Sequence, residues 1–109
     1  MQQESEETTV TREVDVEADV ETVWESVSTN EGRERWIEPD QDRVLIVDEE
    51  QAPERISWWW WNSQEPARHV EVRVVEIATG ARVIVTETAP AFLPLARMVA
   101  CFTPALAVA

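Results

Sequence analysis

Few residues of this sequence have side chains whose chemistry could support metal binding or nucleophilic catalysis. There is one histidine, His69, and one cysteine, Cys101, and the two lie far apart along the chain. A zinc site takes three or four such ligands, and a nucleophile needs a base beside it. No motif of a hydrolase nucleophile or of a phosphate-binding loop occurs. We therefore predict no metal, no cofactor and no catalytic residue built on these groups.

Carboxylates are abundant, with 22 aspartates and glutamates, but their positions are typical of solvated faces and turns. Glu87, at the end of the last predicted strand, differs because it could face the mouth of a cavity. A general acid there would need a pKa raised by burial. We assign it no catalytic role. An enzyme of the cyclase or hydrolase type is accordingly less favoured than a ligand-binding domain or a protein-interaction module. His69 is interpreted as a surface residue and Cys101 as a buried, inert thiol.

The charge of the chain argues against nucleic-acid and membrane-surface partners. Nine arginines and no lysine stand against 22 acidic residues, which gives −13 at pH 7 over 109 residues. A negative field repels phosphate backbones and anionic lipid. The opening residues, MQQESEETTV, are neither basic nor apolar as a secretory signal would be. We therefore expect a cytoplasmic protein, with a disordered acidic tail over residues 1–7 and a single domain over residues 8–109.

Hydrophobic periodicity predicts the elements that must position any site. TTVTREVDVE alternates as a half-buried strand does, and the period changes at Asp19, which is a good N-cap. An amphipathic helix follows and is ended by STNEG, in which Asn30 and Gly32 are typical helix breakers, after which RERWIEPD suits one or two helical turns. Four further strands are predicted in DRVLIVDEE, RISWWWWN, ARHVEVRVVE and RVIVTET. Their connections are too short for parallel crossovers, so we predict an antiparallel sheet and an α+β fold.

Four consecutive tryptophans at positions 58–61 are the most unusual motif of the chain. In a helix the rings would spread around the circumference, whereas a strand sends two of them to each face of a sheet. β-branched and aromatic residues favour the strand. The predicted strand then carries Ile56, Trp58 and Trp60 on one face and Ser57, Trp59 and Trp61 on the other.

The apolar C-terminal segment, residues 89–109, approaches the length of a membrane span. However, Arg97 lies near its middle and three prolines interrupt it. A charge at that depth costs a few kcal/mol, and proline leaves backbone groups without partners. We therefore predict no membrane span but a helix over about residues 94–103 on the concave side of the sheet, with a buried stripe of Leu95, Met98, Val99 and Phe102.

Three stretches of the sequence carry a resemblance to a known superfamily. VDVEADVETVWESVSTNEGRERW resembles the opening of START-related, birch-pollen-allergen-like domains, the SRPBCC superfamily, with Val23, Trp24 and Trp36 at matching positions. QAPERISWWWW resembles a family strand that begins with proline and leads into aromatic residues. TGARVIVTET resembles the glycine hairpin and last strand. Over residues 10–88 the chain is most similar to the branch named for activators of the heat-shock protein 90 ATPase, a neighbour of the polyketide-cyclase-like proteins.

The resemblance implies a helix-grip fold, in which a curved antiparallel sheet of about five strands grips a C-terminal helix. The implied order is β-α-α-β-β-β-β-α, shortened because IEPDQDRV has no room for the additional strand of typical members. A small hydrophobic ligand would lie between sheet and helix. The residues expected to line that space are Trp24, Trp36, Ile56, Trp58, Trp60, Val72, Val74, Val83, Val85, Met98 and Phe102. The same side chains also suit a packed core without a ligand, and both interpretations stay open.

Two tryptophans remain for the outer, convex face of the sheet. Exposed aromatic patches often mark interfaces, so we predict a surface for a homodimer or a partner protein made by Trp59, Trp61, Val75 and Ile84. In the alternative, the stems of Arg73 and Arg82 cover the rings by cation–π stacking. The leading hypothesis for function is a non-catalytic domain that binds a small hydrophobic ligand, and the first alternative is a protein-interaction module, dimeric or chaperone-associated.

Overall fold

Alternating apolar side chains build one antiparallel sheet, as the sequence predicts. The structure is a computed structural model and describes residues 7–38 and 41–90. Its elements are β1 (Glu7–Val16), α1 (Val20–Ser28), α2 (Asn30–Glu34), β2 (Val44–Gln51), β3 (Arg55–Trp61), β4 (Arg68–Ile77) and β5 (Gly80–Pro90). The strands pair in the order β1-β5-β4-β3-β2, and all neighbours are antiparallel. The predicted α+β class and the curved five-stranded sheet of a helix-grip fold are confirmed.

The meander from β2 to β5 is completed by β1, which pairs with β5 along its whole length. Gly80 forms the predicted hairpin between β4 and β5 with a φ of +149°. Glycine is needed here because a Cβ would collide with the carbonyl oxygen of Val16 and approach the backbone of Ala18. The hairpin thus fixes β4 and β5 against the end of β1, and β1 and β2 are left as the two edges.

Helix α1 begins at the predicted cap. The Oδ1 atom of Asp19 accepts a hydrogen bond from the backbone N–H of Thr22 at 2.7 Å, which satisfies one of the donors that a helix start leaves open. The helix buries Val23 and Val27 completely and packs on β4 and β5. It therefore covers the inner face of the sheet at the end where these two strands meet in their hairpin.

The second helix lies earlier than predicted. Thr29 ends α1 and caps α2, because its Oγ1 donates to the Glu25 carbonyl and accepts from the Gly32 N–H, both at 2.9 Å. Gly32, read from sequence as a helix breaker, is inside α2. A Cβ there would collide with the backbone of Glu25 and Ser26, so this glycine lets two successive helices approach each other closely.

The core lies on the inner face of the sheet, between the strands and the two helices. Its fully packed members are Val16, Val23, Val27, Trp36, Ile37, Ile56, Trp58, Trp60, Val70, Val72, Val74, Ala81, Val83 and Val85. Trp24 and Leu45 are partly buried and pack against this cluster. The alternating valines of β4 and β5 supply one layer, and the tryptophans of β3 fill the adjacent space.

Several predictions fall on residues outside the described ranges. These are most of the acidic tail, Cys101, and the C-terminal helix with Met98 and Phe102; they stay predictions. Strand β1 begins at Glu7, one residue before the expected domain boundary. Among the residues that are described, no helix is both long and apolar enough to cross a membrane. Within the same ranges, no three His, Cys, Asp or Glu side chains come together as metal ligands.

Candidate functional site

The tryptophan quartet divides two and two across the sheet, as predicted from its alternation. Trp58 and Trp60 point inward and are 0% and 2% exposed, whereas Trp59 is 43% exposed on the outer face and Trp61 is half-buried. Ser57 is buried even though it shares the outward parity. The motif therefore contributes two side chains to each face of the sheet.

The inner tryptophans form an aromatic cluster with one residue from the helical side. The ring centroids of Trp36 and Trp58 are 6.5 Å apart, and those of Trp58 and Trp60 are 5.9 Å apart with the planes nearly perpendicular. Trp36 Nε1 donates to the carbonyl of Ser26 at 2.9 Å. Trp58 Nε1 is buried and has no hydrogen-bond acceptor among residues 7–38 and 41–90. Buried donors are nearly always satisfied in proteins, so this one calls for an explanation.

Arginines cover the inner tryptophans rather than the outer ones. The guanidinium carbon of Arg33 lies 5.4 Å from the centroid of the Trp58 ring. Arg43 and Arg68 lie 4.6 and 5.1 Å from the centroid of the Trp60 ring. Cation–π attraction of this kind strengthens as water is excluded. Three guanidiniums thus lie against the inner aromatic cluster.

The prediction that Arg73 and Arg82 cover the outer rings is wrong. Arg82 forms a bidentate ion pair with Asp15 on β1, with its Nε 2.8 Å from the carboxylate. Arg73 lies opposite Arg55 and Ile84 in the sheet, away from the tryptophans. Trp59 instead packs against the ring of His69, with centroids 4.8 Å apart.

Glu87 is fully buried, whereas the sequence suggested a position at a cavity mouth. Its Oε2 accepts from Trp60 Nε1 at 3.0 Å and lies 3.4 Å from the Arg68 guanidinium. Arg68 is also paired with Glu65 at 3.3 Å. The sequence analysis did not predict this buried pair, although strand alternation places Arg68 on the same, inward face of β4 as Val70. Glu87 likewise belongs to the inward set of β5.

The predicted lining residues that lie in the described ranges form the packed core itself. Trp36, Trp58 and Trp60 and the four valines of β4 and β5 belong to one buried cluster, together with Ile56, and Trp24 packs on its edge. Val74 also borders a surface groove of about 640 Å³ beside the start of α1, where the acidic residues Asp19, Glu21, Glu54 and Glu76 outnumber the basic residues Arg55 and Arg73.

A second groove, of about 570 Å³, opens between α2 and β2. Ile37 and Leu45 give it an apolar floor, and Leu45 is the cross-strand neighbour of Trp60. Its polar lining residues are Asn30, Arg33, Glu34, Gln41 and Arg43. Two of the three arginines that cover the inner rings therefore line this groove, which we call the α2–β2 groove.

The outer tryptophans lie at one corner of the sheet. Trp59 pairs across the sheet with Ile46 and Trp61 with Val44, and Ile46 and Val44 are 53% and 41% exposed. We call these four residues the outer corner. His69 borders it, with Nε2 3.3 Å from Asp48. His69 is thus a half-buried surface residue in contact with an aromatic ring.

Val75 and Ile84 do not join the outer corner, contrary to the expectation that they lie beside the tryptophans. In the register of β3 and β4, Trp59 lies opposite His69, whereas Val75 lies opposite Arg82. At about 3.3 Å per residue, Val75 is roughly 20 Å further along β4. Val75 is exposed there by itself, so any interface at the outer corner is built without these two residues.

Comparison with solved structures places the fold among known ones. DynU16, a protein of the dynemicin biosynthetic locus, is similar with a TM-score of 0.68 at 20% identity, covering 91% of this chain and 45% of that chain. A protein from Rhizobium leguminosarum has a TM-score of 0.64 at 14% identity, covering 84% and 83%. CalU16 from Micromonospora echinospora has a TM-score of 0.62 at 18% identity, covering 79% and 62%.

These likenesses establish a shared fold. The chain spans less than two thirds of CalU16 and under half of DynU16. No protein-family profile and no curated protein matches the sequence. What the protein does has therefore to be argued from its own side chains.

Proposed function

We propose that this chain is a small hydrophobic-ligand-binding domain of the START/SRPBCC type, non-catalytic, whose ligand lies against the inner face of the sheet at Trp58 and Trp60. The observation that carries the proposal is the indole N–H of Trp58, which is buried and has no acceptor within the described ranges. Such a donor costs about 1–3 kcal/mol when it is left unpaired. A ligand oxygen would accept this hydrogen bond and remove that cost.

The surroundings of Trp58 determine the rest of the ligand. Ile56 is on the same strand, and its neighbour in the sheet is Val72, which pairs in turn with Val85. All three are buried and apolar. Because these side chains are already out of water, a ligand that reaches them gains about 25 cal/mol for each Å² of its own apolar surface that leaves water. The proposed ligand is therefore mostly hydrocarbon or aromatic, with at least one accepting oxygen.

Glu87 does not turn this site into an active site in our proposal. Two donors, Trp60 Nε1 and the Arg68 guanidinium, approach the same oxygen of its carboxylate. A carboxylate fixed in this way orients Trp60 and Arg68 and neutralises a buried cation. The residue is better suited to holding the inner face together than to exchanging protons with a ligand.

A titration with Nile red, a neutral apolar dye that carries a carbonyl, tests the proposal. We expect saturable enhancement of dye emission with the wild-type protein. Trp58→Phe keeps an aromatic ring but removes the N–H, and should weaken binding about fivefold, the equivalent of one neutral hydrogen bond. Trp59→Phe is the matched control on the outer face and should bind as wild type does. The absence of saturable binding to the wild-type protein would contradict the proposal.

The outer corner favours a second candidate function, homodimerisation. It combines exposed apolar side chains with β2, which is an edge of the sheet formed by the described strands. A second copy paired there would cover Trp59 and Ile46 together. The resemblance to activators of the heat-shock protein 90 ATPase makes a partner protein the other occupant to test for.

A further inference from the structure

Strand β2 buries little of either of its faces. It is an edge of the sheet that the described strands form, and every one of its residues except Leu45 is exposed. Val47 pairs with the inward Trp58 and is as exposed as Val44 on the outer side. The strand therefore offers apolar side chains on both faces of an edge, and an edge is the position at which another polypeptide can add a strand to a sheet.

The two halves of β2 differ in their chemistry. Residues 44–47 read VLIV, and residues 48–51 read DEEQ. The change falls at a bulge, where the register with β3 shifts between Val47 and Glu49 and Asp48 is the extra residue. The regular part of this edge is thus apolar, and the carboxylates begin where the regular pairing is interrupted.

The carboxylates of β2 are only partly compensated by the cations around them. Glu49 pairs with Arg55 at 2.7 Å, but the same guanidinium also binds a glutamate of β4. Asp48 lies 3.3 Å from Nε2 of His69, which forms an ion pair only when the ring is protonated. Glu50 has no ion pair among the described residues and acts on the guanidinium of α2 only from a distance. This half of the strand therefore carries a net negative charge.

That charge discriminates between the polypeptides that could pair with β2. A second copy brings a further −13 to the same place, so the homodimer considered above has to overcome a repulsion. Residues 91–109 of this chain contain a single basic residue, Arg97, and do not match three carboxylates. A segment rich in arginine and lysine is attracted instead, and charge complementarity therefore favours a basic partner.

Charges and bulges on an edge strand are also a common protection against association of like chains. In β2 the two roles agree. The carboxylates that repel another acidic chain attract a basic one, so the same residues exclude one occupant and select the other.

We propose that β2 binds an extended, basic segment of a partner protein, which adds a strand along residues 44–47 and places arginine or lysine side chains beside Asp48, Glu49 and Glu50. All neighbouring strands of the described sheet are antiparallel, and an antiparallel addition puts the basic residues of the partner before its apolar ones. Backbone hydrogen bonds then contribute affinity, and the charges contribute selectivity. This inference goes beyond the proposed function and does not depend on a ligand at the inner face.

A fluorescein-labelled peptide in which Arg-Lys-Arg-Lys is followed by Thr-Val-Thr-Val tests the inference by fluorescence anisotropy. We expect saturable binding to the wild-type protein that weakens with added salt, because the screening length falls from about 10 Å at 0.1 M to about 3 Å at 1 M. Asp48→Lys/Glu50→Lys should weaken binding about tenfold, since two attractive pairs are replaced by two repulsive ones. Glu13→Lys/Glu17→Lys changes the net charge equally at the opposite edge and should bind nearly as the wild-type protein does.

A second peptide separates strand addition from attraction by charge alone. Methylation of its backbone nitrogens keeps every charge but removes the donors that pair with β2, and should weaken binding to the wild-type protein about tenfold. Equal binding of the two peptides would overturn the inference, and so would equal losses in the two double variants. If the wild-type protein binds neither peptide and forms a dimer that salt strengthens, β2 pairs with a second copy and the inference is wrong. None of these results bears on the ligand at the inner face.

Discussion

Arg68 and Glu87 lie on neighbouring strands, facing inward among valines and tryptophans. They are 4% and 0% exposed, and the indole N–H of Trp60 completes the contact. Taking two charges out of water costs several kcal/mol for each ion, and the attraction between them offsets that cost only while both are present. The pair is therefore a place where a single substitution has a large effect.

Replacement of Arg68 by methionine should lower the free energy of unfolding by about 3–5 kcal/mol, because it leaves the Glu87 carboxylate buried without its cation. Urea unfolding measures this change. The double variant Arg68→Met/Glu87→Leu removes both charges and should recover most of the loss. A single variant within about 1 kcal/mol of wild type would mean that Glu87 is not held by Arg68.

The inner residues of the candidate site could be predicted because alternation is a local property. The parity of Trp58 and Trp60 follows from the strand period, and both are buried as expected. Strand alternation also places Arg68 and Glu87 on the inner face of the sheet, but charged residues are ordinarily expected to face solvent. Their burial depends on each other across two strands, and this cooperation is not visible in either segment taken alone.

At the scale of elements, the start of α1 is governed by Asp19. The hydrogen bonds from Thr22 hold the pKa of the Asp19 carboxyl below its ordinary value, and slight desolvation works against them. Because the pKa is lower in the folded state than in the unfolded state, the contribution to stability is present above the unfolded pKa. It is lost as the pH falls through the folded pKa.

Comparison of Asp19→Asn with the wild-type protein by thermal unfolding tests this cap. Asparagine keeps an accepting oxygen but has no charge to lose. We expect a small difference in melting temperature at pH 7 that begins to change as the pH falls through the ordinary aspartate pKa, and the change is complete only below the lower pKa of the folded state. A difference that stays constant until the folded protein is fully protonated would exclude an ionised cap.

The second helix illustrates what element prediction lacks. The polar segment STNEG predicts the end of a helix because it contains Asn30 and Gly32, which are typical helix breakers. In the structure, Thr29 closes one helix and opens the next, and the glycine is required by the close backbone of α1. Contacts between two helices decide this, so propensities along one segment could not.

At the scale of the molecule, the antiparallel arrangement of the strands could be predicted from the sequence, but the residue-by-residue alignment of neighbouring strands could not. Short connections require an antiparallel meander, and this is confirmed. However, the prediction that Val75 lies beside Trp59 depended on how β3 aligns with β4. A shift of a few residues in that alignment moves a side chain by many ångströms. The register of β3 on β4 is set by tertiary packing, whereas the bulge in β2 between Val47 and Glu49 shifts only the pairing of β2 with β3.

Homodimerisation at the outer corner is tested by light scattering over a range of protein concentrations. We expect a dimer of the wild-type protein that strengthens with added salt, because two chains of charge −13 repel each other less when screened. Trp59→Ser should be a monomer under the same conditions. Val75→Ser changes an exposed valine outside the outer corner and should behave as the wild-type protein does. A monomeric wild-type protein at high concentration and high salt would exclude this interface.

The indole N–H resonance of Trp58 reports most directly on the central claim, that the inner face of the sheet is a ligand site. In a ¹⁵N-labelled sample this signal can be assigned from its absence in Trp58→Phe. On addition of Nile red we expect the Trp58 N–H signal to move downfield as it gains an acceptor, while the Trp59 signal stays in place. A Trp58 signal that does not move at saturating ligand would contradict the account.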